Sequence, residues 1–144
     1  MTVGDLIESR KDFYSIADDF TVHEAARYLR EKQVRSVGVC DRYGNLVGVV
    51  SQSDISDKVA AENKCPAWMR VSEIMSSPVT VVPPETTLDE CVRLMDKHGF
   101  YHLPVMNKHG QYRGMISVKD LLTVIASDQK ARADMLVAFL FPQR

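Results

Sequence analysis

From Thr21 to Ile55 the chain has a counterpart 66 residues later, with no insertion or deletion in between. Thr21 answers to Thr87, Glu24 to Glu90, Gly44 to Gly110, Gly48 to Gly114 and Asp54 to Asp120. Self-similarity at a fixed spacing restricts the fold to two copies of one supersecondary unit. Upstream the spacing becomes 68, where Val3-Gly4-Asp5-Leu6-Ile7 matches Val71-Ser72-Glu73-Ile74-Met75, so the first copy carries two extra residues near Lys11 and Asp12. A unit of about 60 residues buries too little surface to be comfortably stable alone, and the copies are expected to pack on each other.

Each copy reads β-α-β-β-α. Val3–Ile7 forms a helical turn, and Ser15 and Ile16 begin a short strand. Val22, Ala25, Ala26 and Leu29 recur at helical spacing up to about Gln33. Val37–Val39 and Leu46–Val50 form a hairpin around Asp41-Arg42-Tyr43-Gly44-Asn45, with Gly44 at the positive-φ position. Ser51 opens a helix expected to run to about Asn63. In the second copy Val79–Val82 is the expected first strand, Leu88, Cys91, Val92, Leu94 and Met95 form the apolar stripe, and His102–Met106 and Tyr112–Ile116 are the hairpin strands. The copies span 1–63 and 70–127, joined by a linker at 64–69 that starts beyond a helix halted at Pro66 and followed by a helical tail at 128–144. Trp68 in that linker is expected to pack, because exposing its large apolar area is unfavourable.

The doubled stretch Gly48-Val49-Val50-Ser51-Gln52-Ser53-Asp54 and Gly114-Met115-Ile116-Ser117-Val118-Lys119-Asp120 is a strand feeding a helix N-terminus. Two readings use the same atoms. In a capping box, Ser accepts from the backbone N–H three residues on and the acidic side chain bonds back. In a ligand site, free N–H groups and the positive end of the helix dipole face an anion, while Asp accepts hydrogen bonds from a sugar diol. Asp is shorter than the Glu that closes the boxes at Thr21–Glu24 and Thr87–Glu90, which favours the ligand reading over capping alone. Lys119, two residues past Ser117, opposes the helix dipole unless an anion is present.

A formal net charge of −1 without a Lys/Arg block gives no electrostatic footprint for nucleic acid or an anionic membrane. Cys40, Cys65 and Cys91 lie far apart and read as buried or half-buried small apolar side chains in a reducing cytoplasm. They form no metal-ligand spacing with His23, His98, His102 and His109. The opening residues lack a signal-peptide pattern, and the longest apolar run, Met135–Phe141, is too short to span a bilayer. That run is expected to make an intramolecular or dimer contact. No P-loop, GxGxxG, GxSxG or converging nucleophile set is present, so the expected protein is not an enzyme.

The doubled Gly-x-x-Ser-x-x-Asp, the strand His102-Leu103-Pro104-Val105, the opening Ile74-Met75-Ser76 and the β-α-β-β-α order together resemble a tandem pair of cystathionine-β-synthase (CBS) domains, of the stand-alone prokaryotic kind. The resemblance covers roughly Val3–Ser127 and implies an α/β (α+β) fold, two repeats packed as a pseudo-twofold pair with clefts between them, and a homodimer forming a disc of four repeats. It implies a regulatory, cytoplasmic sensor of an adenine nucleotide, AMP first among AMP, ADP, ATP and NAD, bound as ligand rather than cofactor, with a possible regulated protein partner. Carried over by position, Asp54 and Asp120 hold ribose hydroxyls, and Ser51 and Ser117 bond ribose or phosphate. Lys119, His102 and Arg35 meet phosphate, and the adenine lies against Ile16 and Ala17 or Thr80 and Val81. The first copy departs from the pattern, with Ser53 in place of Lys119 and Ser36-Val37-Gly38-Val39 in place of His102-Leu103-Pro104-Val105. The alternatives are a sensor of S-adenosylmethionine and a nucleotide-free interaction or scaffolding module.

Overall fold

The computed structural model describes residues 1–141 except Pro78 and Asp128. Its elements are α1 (Val3–Glu8), β1 (Ser15–Ala17), α2 (Val22–Lys32), β2 (Ser36–Cys40), β3 (Leu46–Ser51), α3 (Gln52–Ile55), α4 (Leu88–His98), β4 (His102–Met106), β5 (Tyr112–Ser117), α5 (Val118–Ser127) and α6 (Gln129–Leu140). A π-helical turn at Ser56–Ala60 continues α3, and 3-10 turns cover Pro66–Trp68 and Val71–Glu73. This is an α+β fold, as expected. The helix opened by Ser51 is α-helical only to Ile55, and Asn63 is left-handed at φ 54°.

The long helices form where the sequence places their caps. Thr21 Oγ1 accepts from the Glu24 N–H at 3.0 Å while the Glu24 carboxylate accepts the Thr21 N–H at 3.1 Å. Thr87 and Glu90 do the same at the start of α4. Left-handed residues end both helices, Gln33 at φ 57° and Gly99 at φ 69°. Between the caps, Val22, Ala25 and Leu29 are buried on α2, and Leu88, Cys91, Val92 and Met95 on α4. Each of the larger side chains contributes about 1.5–3 kcal/mol by leaving water.

Two compact units divide the chain, and they cut across the sequence copies. One gathers Met1–Asp12, Thr80–His109 and the chain from Arg113; the other gathers Phe13–Val79 with Gly110–Tyr112. The opening segments have therefore been exchanged. In the first unit α1 joins the second copy: the Val3 N–H donates to the Thr86 carbonyl at 2.8 Å and the Gly4 N–H to the Pro84 carbonyl at 2.9 Å. In the other unit the Val71–Glu73 turn joins the first copy, its Val71 N–H donating to the Phe20 carbonyl at 2.8 Å. Val3 and Val71 are both fully buried. The two motif glycines accept these segments: a Cβ on Gly114 would lie 2.6 Å from Ile7 Cδ1, and one on Gly48 would lie 2.5 Å from Met75 Sδ and 2.9 Å from the Ser76 carbonyl oxygen.

The sheets differ. In the first copy β1 runs parallel to β2, which pairs antiparallel with β3. In the second, among the described residues, only β4 and β5 form a sheet, and the expected strand Val79–Val82 reduces to a single parallel bridge between Val82 and Val105. Proline explains the loss. The bridge consists of the Val82 N–H on the Pro104 carbonyl and the Met106 N–H on the Val82 carbonyl, each at 3.0 Å. One step further along, the ladder would need N–H groups from Pro84 and Pro104, which have none. Their counterparts in the first copy are Asp18 and Gly38, and the Asp18 N–H does donate to the Cys40 carbonyl at 3.0 Å.

Two expectations about the linker and cysteines are corrected. Trp68 is 88% exposed; the linker packs through its neighbour Met69, whose carbonyl accepts the Val22 N–H and whose side chain lies against the core. Cys40 and Cys91 are buried, but Cys65, at the start of the Pro66 turn, is exposed. The tail packs in part: Met135 and Ala138 on α6 enter the core with Val3, Leu103 and Ile116, whereas Leu136, Phe139, Leu140 and Phe141 stay exposed.

Candidate functional site

Both Ser-x-x-Asp motifs fold as strand-to-helix junctions closed by a complete box. At the first, Asp54 Oδ2 accepts the Ser51 N–H at 2.9 Å and the Ser51 hydroxyl at 3.1 Å, while Ser51 Oγ accepts the Asp54 N–H at 3.2 Å. At the second, Asp120 Oδ2 accepts the Ser117 N–H at 2.7 Å and the Ser117 hydroxyl at 2.9 Å, and Ser117 Oγ accepts the Asp120 N–H at 3.2 Å. The expectation that Asp bonds back poorly is overturned. Its back-bonds, at 2.9 and 2.7 Å, are shorter than the 3.1 Å made by Glu24 and Glu90, and at both motifs the same carboxylate oxygen also takes the serine hydroxyl. The Gln52 N–H, the first of α3, donates to the Arg35 carbonyl at 3.0 Å, and its counterpart Val118 donates to the Tyr101 carbonyl at 3.0 Å.

Each aspartate also meets a cation, and the cations come from different places. Lys58, one turn further along the same helical stretch, places Nζ 3.1 Å from Asp54 Oδ1 and donates to the Ile74 carbonyl at 2.8 Å. Arg10, just past α1, places Nη2 2.7 Å from Asp120 Oδ2 and donates from Nη1 to the Met115 carbonyl at 2.6 Å. The Asp54 side chain is 12% exposed and that of Asp120 32%. Sequence reasoning missed both cations. Lys58 stands at i+4 from Asp54, a spacing that signals an ion pair on a helix. Arg10 is 110 residues from Asp120 and carried no local signal.

The other expected residues fall around these junctions. Lys119 is exposed on the first turn of α5, and its ammonium has no ion pair among the described residues. Arg35 is exposed immediately before β2, and His102 is half-buried at the start of β4. Ile16 is buried and Ala17 exposed on β1, while Thr80 and Val81 are half-buried in extended chain ahead of the Val82 bridge. Each copy thus brings its own Ser and Asp together in one unit.

No group of three His, Cys, Asp or Glu side chains that could hold a metal occurs among the described residues. Burial pushes the Cys91 thiol up to about 12 and raises that of Cys40, which keeps both protonated and unreactive at neutral pH. No helix among the described residues is long and apolar enough to cross a membrane.

Two repeats, each offering a serine and an aspartate at the head of a helix beside a hairpin, define a tandem module. The CBS domain family model matches the chain at residues 3–61 and 71–127, and the chain belongs to the CBS-domain family. An uncharacterized protein of Methanopyrus kandleri is 28% identical over 124 residues, covering 86% of this chain and 62% of that protein. A solved structure of a protein with CBS domains from Burkholderia ambifaria is 29% identical with a TM-score of 0.80, covering 90% of this chain and 96% of that one. The CBSX2 structure, a complex with AMP, is 26% identical with a TM-score of 0.74, covering 88% of this chain and 96% of that one. The chain spans between 21% and 64% of the length of the curated relatives it matches.

Proposed function

We propose that this chain is a regulatory module that binds an adenosine-containing ligand, with the ribose hydroxyls on Asp120 and without turnover. The observation that carries the reading is the second junction, where Ser117 and Asp120 stand at the head of a ten-residue helix with the exposed Lys119 between them. A helix start with an added cation suits a phosphate, and a carboxylate beside it suits a diol. The related CBSX2 structure, which holds AMP, supports the same ligand class. In this reading Lys119, Arg35 and His102 meet phosphate, adenine rests on Ile16 and Ala17 or Thr80 and Val81, and the working form is a cytoplasmic homodimer that relays occupancy to a protein partner.

Thermal unfolding of ligand-stripped protein with AMP, ADP, ATP, NAD and S-adenosylmethionine tests it. A ligand at about a hundred times its dissociation constant adds about 2.7 kcal/mol to the folded state. Asp120→Asn removes a charge-assisted hydrogen bond and weakens binding by about 1.5–3 kcal/mol. No stabilisation by any of the five compounds rejects the proposal.

One observation favours a second reading. Leu136, Phe139, Leu140 and Phe141 expose an apolar surface on and just beyond α6, which suits an interaction module working through its tail. That reading gives no nucleotide-dependent stabilisation and a loss of assembly when these four residues are made polar.

A further inference from the structure

We infer that the two motif aspartates are not equivalent: Lys58 closes Asp54 to ligand, and the ribose diol is taken at Asp120 alone. The inference rests on the nucleotide-binding reading and specifies its site. A carboxylate takes a vicinal diol most readily through an oxygen that no other donor or cation holds. At Asp54 both oxygens already have partners: Oδ2 holds both Ser51 donors, and the Lys58 ammonium sits on Oδ1 at 3.1 Å, where a diol would approach. Lys58 is itself anchored by the Ile74 carbonyl at 2.8 Å, so releasing Oδ1 breaks two contacts rather than one.

At Asp120 the partners are arranged differently. The Ser117 N–H and hydroxyl donate to Oδ2 at 2.7 and 2.9 Å, and Arg10 Nη2 forms an ion pair with the same oxygen at 2.7 Å. Oδ1 has no donor among the described residues, and the side chain is almost three times as exposed as that of Asp54, at 32% against 12%. Arg10 acts here as a positioning residue. Its hold on the Met115 carbonyl fixes the guanidinium, whose Nη2 engages Oδ2 and leaves Oδ1 without a partner among the described residues. The two cations do opposite work: one occupies the oxygen a diol would use, and the other occupies the oxygen a diol does not need.

Isothermal titration with AMP, read as equivalents per chain, tests the inference. Wild type takes up one equivalent, and Asp120→Asn weakens that uptake at least tenfold. Lys58→Met, which keeps the apolar stem of a side chain that is 46% exposed, takes up two; adding Asp54→Asn to it returns the value to one. Two equivalents for wild type, or one for a Lys58→Met protein whose melting is unchanged, overturns the inference and leaves the nucleotide reading standing. No uptake of AMP by wild type, with no stabilisation by the other adenosine compounds, removes that reading and the inference with it.

Discussion

The first copy holds a three-stranded sheet and the second a pair of strands with one added bridge, although the two are in register at every cap, turn and motif between Thr21 and Ile55. The difference traces to backbone donors rather than to side-chain pattern. Asp18 and Gly38 can extend a parallel ladder on either side of Ile16, and Pro84 and Pro104 cannot do so around Val82. Burial does not follow suit, since Val82 is 1% exposed and Ile16 2%. A repeat can therefore lose most of a strand and keep its core, because the core needs side chains in place and the ladder needs N–H groups.

The largest test of the comparison concerns what the copies share, the exchanged opening segments. Val3→Asp buries an unpaired carboxylate and costs more than about 3 kcal/mol. Hydrogen exchange then shows lost protection in α4, β4 and β5, far along the chain, while α2 and β2 stay protected. Val71→Asp gives the mirror result, with loss in α2 and β2. Loss confined to each valine's own sequence copy would break the picture.

Next come the two motif glycines. Gly48→Ala drives a Cβ into Met75 and the Ser76 carbonyl, and overpacking of this kind costs about 1–3 kcal/mol. Gly114 meets only the flexible end of Ile7, but its φ of 143° is one that L-residues rarely adopt, so Gly114→Ala is penalised through the backbone. The side chains separate the cases in denaturant melts: trimming Met75 to Ala rescues Gly48→Ala in part, and trimming Ile7 to Ala does little for Gly114→Ala.

A smaller effect bears directly on the sheets. Pro84→Asp restores the N–H found at Asp18, and a new bond to the Met106 carbonyl is worth about 0.5–1.5 kcal/mol. Loss of the proline's stiffening of the unfolded chain offsets about 0.4–1 kcal/mol of that. Stability changes little, and the readout is a protected amide at residue 84 in exchange measurements. A fast-exchanging amide there would show that something besides the missing donor limits the strand.

The smallest effect is on acid stability. The Thr21 backbone and hydroxyl donors hold the Glu24 carboxylate below its ordinary value of 4.5, so the unfolded chain binds the proton more readily. Stability from this cap is present above that value and is lost as pH falls through the folded value. Glu24→Gln keeps a bonding-back group without the charge, and unfolding titrations should show a shallower acid limb.

Much of this was readable from the sequence. The constant 66-residue spacing, the threonine-glutamate boxes and the glycines of the hairpin turns located α2, α4 and both hairpins, because each of those signals acts within a few residues. Motif positions were equally legible, whereas their bonding was not. Lys58 follows Asp54 by one helical turn and could have been paired with it, but Arg10 meets Asp120 only through the exchange of α1. The prolines at 84 and 104 were visible, yet their effect depends on a pairing register that only the fold supplies. Trp68 misled because area favours burial in general, while Met69 was the residue placed to pack.

The exchanged helix also sets the order of synthesis against the order of assembly. Val3–Glu8 emerges from the ribosome long before Thr80, yet it belongs to the unit that Thr80 begins. Phe13–Val79 can gather as soon as it is made, with only Gly110–Tyr112 to come, and throughout that time α1 has no core to enter. Contacts that span most of a chain form late and slowly. Val3, translated well before Thr80, is then among the last to leave water, and its apolar surface is open to chaperones or to the α1 of a neighbouring nascent chain for the whole interval.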